Sequence, residues 1–500
     1  MRAEVPTMIR TADQSEDPGA DEGRPADSPL HRVGGRVADA LALQPDDIAA
    51  IAPARRLPSW RSTLRVAELA YDSAALSSLA MALVGSDRGV STPGMRSIRV
   101  DASRVQASFG SERLFRIDGS APRFRAPLSD FWRVSDGWVR THGNYPHHVE
   151  RLTALLGLPA RAGRAAVGAA MRDRGRFELE DRAARAGALI IAVRDPSEWR
   201  SHPQFSVLER SPAVHLESRG NAAPRRWREA GGLPLTGIRV LDLTRVIAGP
   251  VATRDLATAG ADVLRIDSPR LPEVAWQHLD TGQAKRSTLL DLDRSADLDR
   301  VRQLLESADV VVHGYRPSAL SKYGLDFEAL HRRFPGIVVA QLSAWGTEGP
   351  WGRRRGFDSL VQAASGVAVL ESTDGGTTPG ALPVQALDHS AGHFLAASIA
   401  TALLRQRREG GSFGIRVSLA RIANELLAAG PAPHAADAAA SVDQELALPT
   451  TSVPVVTASG GATSRVECAP PILAFDGAPT EYRSPLHRWG ADPPVWSTTG

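Results

Sequence analysis

Cysteine is almost absent: this chain of 500 residues holds one, Cys468. A lone thiol excludes an intramolecular disulfide framework and a cysteine-based metal cluster. It lies in a proline-flanked tail segment, where a nucleophilic role is not expected. Lysine is nearly as scarce, occurring only at Lys285 and Lys322, so the pI of about 9.3 is carried by arginine. Formal net charge is only +3, and no Lys/Arg-rich run appears, so nucleic-acid binding is not indicated. No run approaches the roughly 18 apolar residues that cross a bilayer. The N-terminal stretch MRAEVPTMIRTADQSEDPGADEGRPADSP lacks the apolar core of a secretory signal. Residues 1–32 therefore read as a disordered tail, and a soluble cytoplasmic protein is expected, with no nucleic-acid or membrane partner.

What is present is a large apolar fraction, 43%, enough for a sizeable core in two or three domains. Residues 233–427 carry the clearest pattern. GIRVLDLT (Gly237–Thr244) is a short apolar strand. AGP at Ala248–Pro250 turns into a helical run, and Ala261–Asp267 is a second strand. KRSTLLDLD, the helix SADLDRVRQLLESA, the strand DVVVHGY and the strand GIVVAQLSAWG follow. Strands alternating with helices predict a parallel sheet with helices on its faces, and ligands bind such sheets at strand C-termini. No GxGxxG follows the first strand, which disfavours a nicotinamide or flavin role. Residues 127–222 form a separate small unit. There FWRVSDGWVRTHG predicts a hairpin turning at Ser135–Asp136–Gly137, and HHVERLTALLG a helix ended by Gly157. Residues 33–126 read as mixed helix and strand, 428–460 as a mobile Ala/Pro/Ser-rich linker, and 461–500 as extended chain. SIRV at Ser97–Val100 echoes GIRV at Gly414–Val417, each preceded by a small-residue helix and a basic loop, which suggests an internal repeat.

The blocks LTGIRVLDLTRVIAGPVATRDLATAGADVLRIDSP, KRSTLLDLD, ADVVVHGYRPSALSKYGLD and RRRGFDSLVQAASGVAVL, in that order, resemble the family III CoA-transferases, the group that includes the α-methylacyl-CoA racemases. DGWVRTHGNYPHHVERLTALLG resembles the family's smaller domain, and ILAFDGAPTEYRSPLHRWGAD its C-terminal return segment. The resemblance implies an α/β fold: a Rossmann-like parallel sheet domain with a smaller α+β domain. The order differs from the family's, with the small domain placed first, as if two copies had fused and each lost a part. A homodimer is implied, with a monomeric pseudo-dimer as the alternative.

By the same resemblance Asp388, in PVQALDHSAGHF, is the nucleophile that carries CoA as an aspartyl thioester between an acyl-CoA and a carboxylic acid. No bound cofactor or metal is implied; the CoA thioester is a substrate. Asp388 reads as an exposed carboxylate, and the small residues around it would leave backbone N–H groups for an oxyanion. The alternative is a helix cap for a helix starting at Ser390. Tyr315, Arg316, Lys322 and Arg355 fall on positions that line the family's nucleotide site, arginine suiting phosphate bidentately. Ile247, Ala248, Leu290, Asp291 and Gly314 are implied as contacts in the same site. His142, His147 and His148 raise a metal reading. Neighbouring histidines on extended chain point to opposite faces, however, and no suitable ligand partner is spaced near them. The racemase branch needs a histidine where Phe357 stands; His389 and His393 keep it open as a second reading, and a CoA-ester-binding inactive paralogue is a third.

Overall fold

The computed structural model describes residues 28–90, 94, 96–122, 126–225, 227, 231–316, 319–433, 448–457 and 461–497. Most of the expected tail, 1–32, and much of the expected linker, 428–460, lie outside them.

The chain opens with two short helices, α1 (Arg32–Ala40) and α2 (Pro45–Ile48), then the long α3 (Val66–Asp87), α4 (Ala102–Phe109) and α5 (Ser111–Leu114). Asp101 starts α4 by accepting from the N–H groups of Ser103 and Arg104, as an N-cap carboxylate does. The strand expected at SIRV reduces to one parallel bridge, Ile98 to Ile51. Helix α3 corrects the reading of apolar runs. Over its 22 residues it is long and apolar enough to cross a membrane by composition alone, but 89% of its apolar window is buried inside the protein.

β1 (Arg116–Ile117) precedes the small unit, where β2 (Phe131–Val134), β3 (Gly137–Thr141) and β4 (Ile190–Ala192) form an antiparallel sheet. Helices α6 (Pro146–Leu156), α7 (Arg164–Met171), α8 (Arg176–Ala186), α9 (Pro196–Arg200) and α10 (Pro203–Glu209) follow in and around it. Gly157 ends α6 at φ 71°, a left-handed position that glycine takes without Cβ strain. Asp195 and Glu198 close a reciprocal capping box around α9. β5 (His215–Arg219), assigned to the small unit by the sequence boundaries, is instead the antiparallel edge of the main sheet.

That main sheet has seven strands. β6 (Arg239–Leu243), β7 (Asp262–Asp267), β8 (Arg286–Leu289), β9 (Val310–His313), β10 (Val338–Ser343) and β11 (Ser412–Ser418) run parallel in the order β11-β10-β9-β6-β7-β8. Their fully buried Val and Leu residues suit a sheet covered on both faces. α11 (Ala248–Thr258), α12 (Ala275–Asp280), α13 (Ser295–Leu305), α14 (Phe327–Arg333), α15 (Asp358–Ser365), α16 (Val367–Leu370), α17 (Ala386–Glu409) and α18 (Leu419–Ala428) surround it. One face buries Leu241, Leu264, Val311 and Val339 under α13 and α14. The other buries Val240, Val312 and Ala340 in a core that continues through α17 into α3 and α1. The N-terminal helices therefore belong to the same core as the sheet.

Described residues of the region read as linker and extended tail form strands. β12 (Thr451–Val456), β13 (Ala462–Cys468) and β14 (Leu486–His487) join β1 in a four-stranded sheet. Phe115, Val453, Val466, Cys468 and Leu486 form its core. Cys468 is buried, and burial pushes its thiol up to about 12.

Candidate active site

The C-terminal ends of β6, β9 and β10 meet the first turns of α11, α15, α17 and α18 around a cavity of about 350 Å³. Its wall includes Thr244–Ala248, Gly314–Arg316, Leu342–Ala344, Arg354–Phe357 and Leu419, with Asp388 among the lining residues. Tyr145, His147 and His148 of the small unit close one side. Of the residues named from sequence, the fold brings together Asp388, Ile247, Ala248, Gly314, Tyr315, Arg316 and Arg355. Leu290, Asp291 and Lys322 lie outside this lining. Lys322 Nζ is 2.8 Å from Asp293, and Arg270 bridges Asp291 and Asp293 in the same surface ion cluster. The other lysine, Lys285, is buried and donates to Asp242, Thr253 and the Pro250 carbonyl.

The turn into α11 is strained. Val246 sits at φ 71°, where a β-branched side chain is a genuine outlier, at a cost of about 1–3 kcal/mol. Glu273 holds the turn, accepting from the Val246 N–H at 3.3 Å and pairing with Arg245 and Arg265. Burial would raise the Glu273 carboxyl, but those guanidiniums and the Tyr145 hydroxyl outweigh it and push it down to about 2. A permanently charged network thus braces the cavity floor and ties Tyr145 of the small unit to it.

Asp388 is not the exposed carboxylate of the sequence reading: it is 7% exposed. Helix α17 begins at Ala386, so Asp388 stands in its first turn rather than capping a helix at Ser390. Asp358, the first residue of α15, caps that turn; its Oδ2 accepts from the Asp388 N–H at 2.9 Å, and Leu387 N–H also points to it. The N–H groups of Ala386 and His389 go to Val384 and Gln385. The backbone donors around Asp388 are therefore occupied, and the expectation that they stand free for an oxyanion is not met. Burial raises Asp358 to about 6, against the pull of these hydrogen bonds. Burial, then the charges of Asp358 and Glu112, raises Asp388 well above the usual carboxylate range. Like charges sharing one buried site resist joint ionisation. The Asp388 carboxylate oxygens take no hydrogen bond from any described residue.

Glu112 comes from the N-terminal half, as do Phe109 and Arg113, which pack against α17 and the turn before it. Phe109 stacks on His389 at 4.9 Å and on His393 at 5.6 Å, and Arg113 donates to the Pro383 carbonyl. His393 also hydrogen-bonds Asp255 at 2.7 Å. Both histidines are thus committed to packing behind Asp388 and are absent from the cavity wall. His147 and His148 are in α6, not on extended chain, because Pro146 occupies its first position. His142 stacks on Phe357 at 3.7 Å and faces His148, whose ring is pushed down to about 3 by burial and then His147. Among the described residues no group of His, Cys, Asp and Glu is arranged to hold a metal.

Positive charge collects at the cavity mouth. Arg355 Nη1 donates to the Gly187 carbonyl of the small unit. Burial, with Arg316 and Arg151 nearby, lowers it to about 10. Arg316 pairs with no carboxylate among the described residues. Such crowding disfavours the cations until an anion enters, so phosphate is the natural occupant. The cavity thus combines a buried carboxylate, Asp388, with two guanidiniums, Arg316 and Arg355, at the strand ends of a parallel sheet.

Residues 235–453 match the family described as CoA-transferase family III. Over 203 residues the chain is 33% identical to a probable fatty acyl-CoA transferase of Mycobacterium tuberculosis, covering 38% of this chain and 51% of that protein. Over 215 residues it is 32% identical to a succinate–glutarate CoA-transferase of Agrobacterium fabrum, covering 39% and 53%. A crystal structure of the Mycobacterium tuberculosis protein aligns at 34% identity over 39% of this chain and 58% of that one, with a TM-score of 0.37. The chain spans about half the length of these curated relatives.

Asp358, Glu112 and the small-unit residues Tyr145, His147 and His148 were not named from sequence as site residues. FDSL ahead of a helical run was the one local signal for Asp358. Glu112 carried none, since its role depends on a contact with α17 far along the chain.

Proposed function

We propose that the chain moves coenzyme A from an acyl-CoA thioester to a second carboxylic acid through a thioester on Asp388. The observation that carries this is the buried Asp388 carboxylate, unbonded by the protein, in a cavity whose mouth is crowded with guanidiniums. Arg316 and Arg355 take the phosphates, and the pantetheine arm runs past Ile247–Ala248 toward Asp388. The Asp388 carboxylate attacks the thioester carbonyl; the C–S bond breaks, leaving a mixed anhydride and CoA thiolate. The thiolate attacks the Asp388 carbonyl, forming the aspartyl thioester and releasing the first acid. The acceptor carboxylate then repeats the two steps in reverse. Carboxylates are weak nucleophiles in water, so burial and positioning supply the rate.

The test is intact-mass analysis after incubation with a panel of acyl-CoAs and trapping with hydroxylamine or borohydride. An adduct that maps to Asp388 and vanishes in Asp388→Ala supports the reading. Binding without any adduct sinks it. The racemase alternative loses ground because His389 and His393 are absent from the cavity wall.

A further inference from the structure

A second groove lies in the N-terminal half, well apart in sequence from the cavity just described. It measures about 880 Å³ and is lined by Ala52–Arg56, Tyr71, Arg96 and Arg99–Ser103. Four guanidiniums therefore border it, Arg55, Arg56, Arg96 and Arg99, all on exposed residues. None of the four makes an ion pair among the described residues. One carboxylate, Asp101, faces them, and it is occupied in capping α4. Four guanidiniums without a carboxylate partner along one concavity can offer charge-assisted hydrogen bonds to a polyvalent anion.

The groove's position is not arbitrary, because short segments of the two halves correspond in order. SLAMALV in α3 (Ser78–Val84) matches SIATALL in α17 (Ser398–Leu404), and SIRV matches GIRV. Each of the two segments then pairs in parallel with an earlier one: Ile98 with Ile51, and Ile415 with Ala340. Each is followed by a helix whose start is capped by a side chain, Asp101 for α4 and Ser418 for α18. The cavity around Asp388 is walled by Leu342–Ala344 and Leu419, just beyond the paired residues of the second copy. The groove is walled by Ala52–Arg56 and Val100–Ser103, just beyond those of the first. It thus occupies the corresponding place in the first copy, just past a single parallel bridge. The nucleophile is not duplicated: on the match of the two helices, Glu68 stands opposite Asp388, and Glu68 is tied to Arg65 at 2.9 Å.

We propose that this groove is a second, non-catalytic binding site for a small anion bearing a diphosphate, held by Arg55, Arg56, Arg96 and Arg99. The recognised chemistry is the diphosphate, whether free or within a nucleotide. The proposal does not rest on the transferase reading, since it concerns other residues and needs no reaction.

The test is phenylglyoxal modification of the full chain with peptide mapping, alone and with inorganic pyrophosphate or ADP. The expected result is saturable protection of the four groove arginines at a concentration that leaves exposed Arg200 unprotected. The double variant Arg55→Ser/Arg99→Ser should then bind pyrophosphate about tenfold more weakly, with an unchanged thermal midpoint. Protection by ADP at lower concentration than by pyrophosphate would assign the nucleoside a share of the contacts. Equal modification with and without ligand would overturn the proposal. So would equal protection of Arg200, or stronger protection by a DNA duplex, since these mark a diffuse basic face.

Discussion

Replacing Asp388 with asparagine should stabilise the folded chain increasingly as pH rises above the ordinary carboxylate range. In the unfolded chain this carboxyl ionises near its ordinary 3.8, whereas burial and the neighbouring Asp358 hold it protonated well above that in the fold. A raised folded pKa means that the group's contribution is complete below the unfolded value and is lost as pH increases. Each unit above 3.8 costs about 1.4 kcal/mol until the folded group titrates. Asparagine keeps the shape, and no hydrogen bond to the side chain is lost. Urea unfolding of both proteins at half-unit steps from pH 4 to pH 6.5 reads the difference directly. Curves separated by a constant amount, or a variant that loses ground as pH rises, would refute the argument that Asp388 is a reluctantly ionised group.

Three further outcomes follow from the same geometry. Glu112→Gln removes one of the charges that raise Asp388, so the acid limb of the acyl-transfer pH profile should move to lower pH; Asp358, Asp280 and Arg113 remain around the site, and an unmoved limb would show Glu112 to be structural only. Arg316→Ala should raise KM for acyl-CoA about tenfold or more with little change in kcat, the mark of lost ground-state binding, measured by steady-state kinetics at fixed salt. Gly392→Ala places a Cβ 2.6 Å from the Ala248 carbonyl, so α11 must shift; despite alanine's better helix propensity, calorimetry should find a loss of about 1–3 kcal/mol and the turn at Val246 should be disturbed with it.

Much of the sheet domain was legible because its signals are local. β6, β7, β9 and β10 are apolar runs bounded by turns, and Gly157 and Gly137 act on their own neighbours. β12 and β13 escaped notice because Pro454 and the glycines at 460 and 461 argue against strands; what makes them strands is burial against Phe115 and Leu486 from distant segments. Pro146 was legible as a helix start, but the adjacent histidines drew attention to metal geometry instead. Asp388 could be placed on the sequence but not buried by it, since its companions stand at 112 and 358 and no spacing rule links the three. The family blocks located the wall of the cavity, while its small-unit side, Tyr145 to His148, depended on how two units dock.

Helix α3 has a bearing on how the chain is made as well as on what it does. Its apolar surface is covered chiefly by α17, which begins at Ala386, about 300 residues beyond Asp87. At roughly 5–20 residues per second, synthesis leaves α3 without that cover for something like 15–60 s. During that interval a nascent helix with the composition of a bilayer span is open to membrane-insertion machinery and to aggregation. Folding of this protein in the cell should therefore depend on a holdase that shields α3 until α17 emerges. Ribosome-bound chains truncated before and after residue 409 would differ sharply in protease resistance at α3.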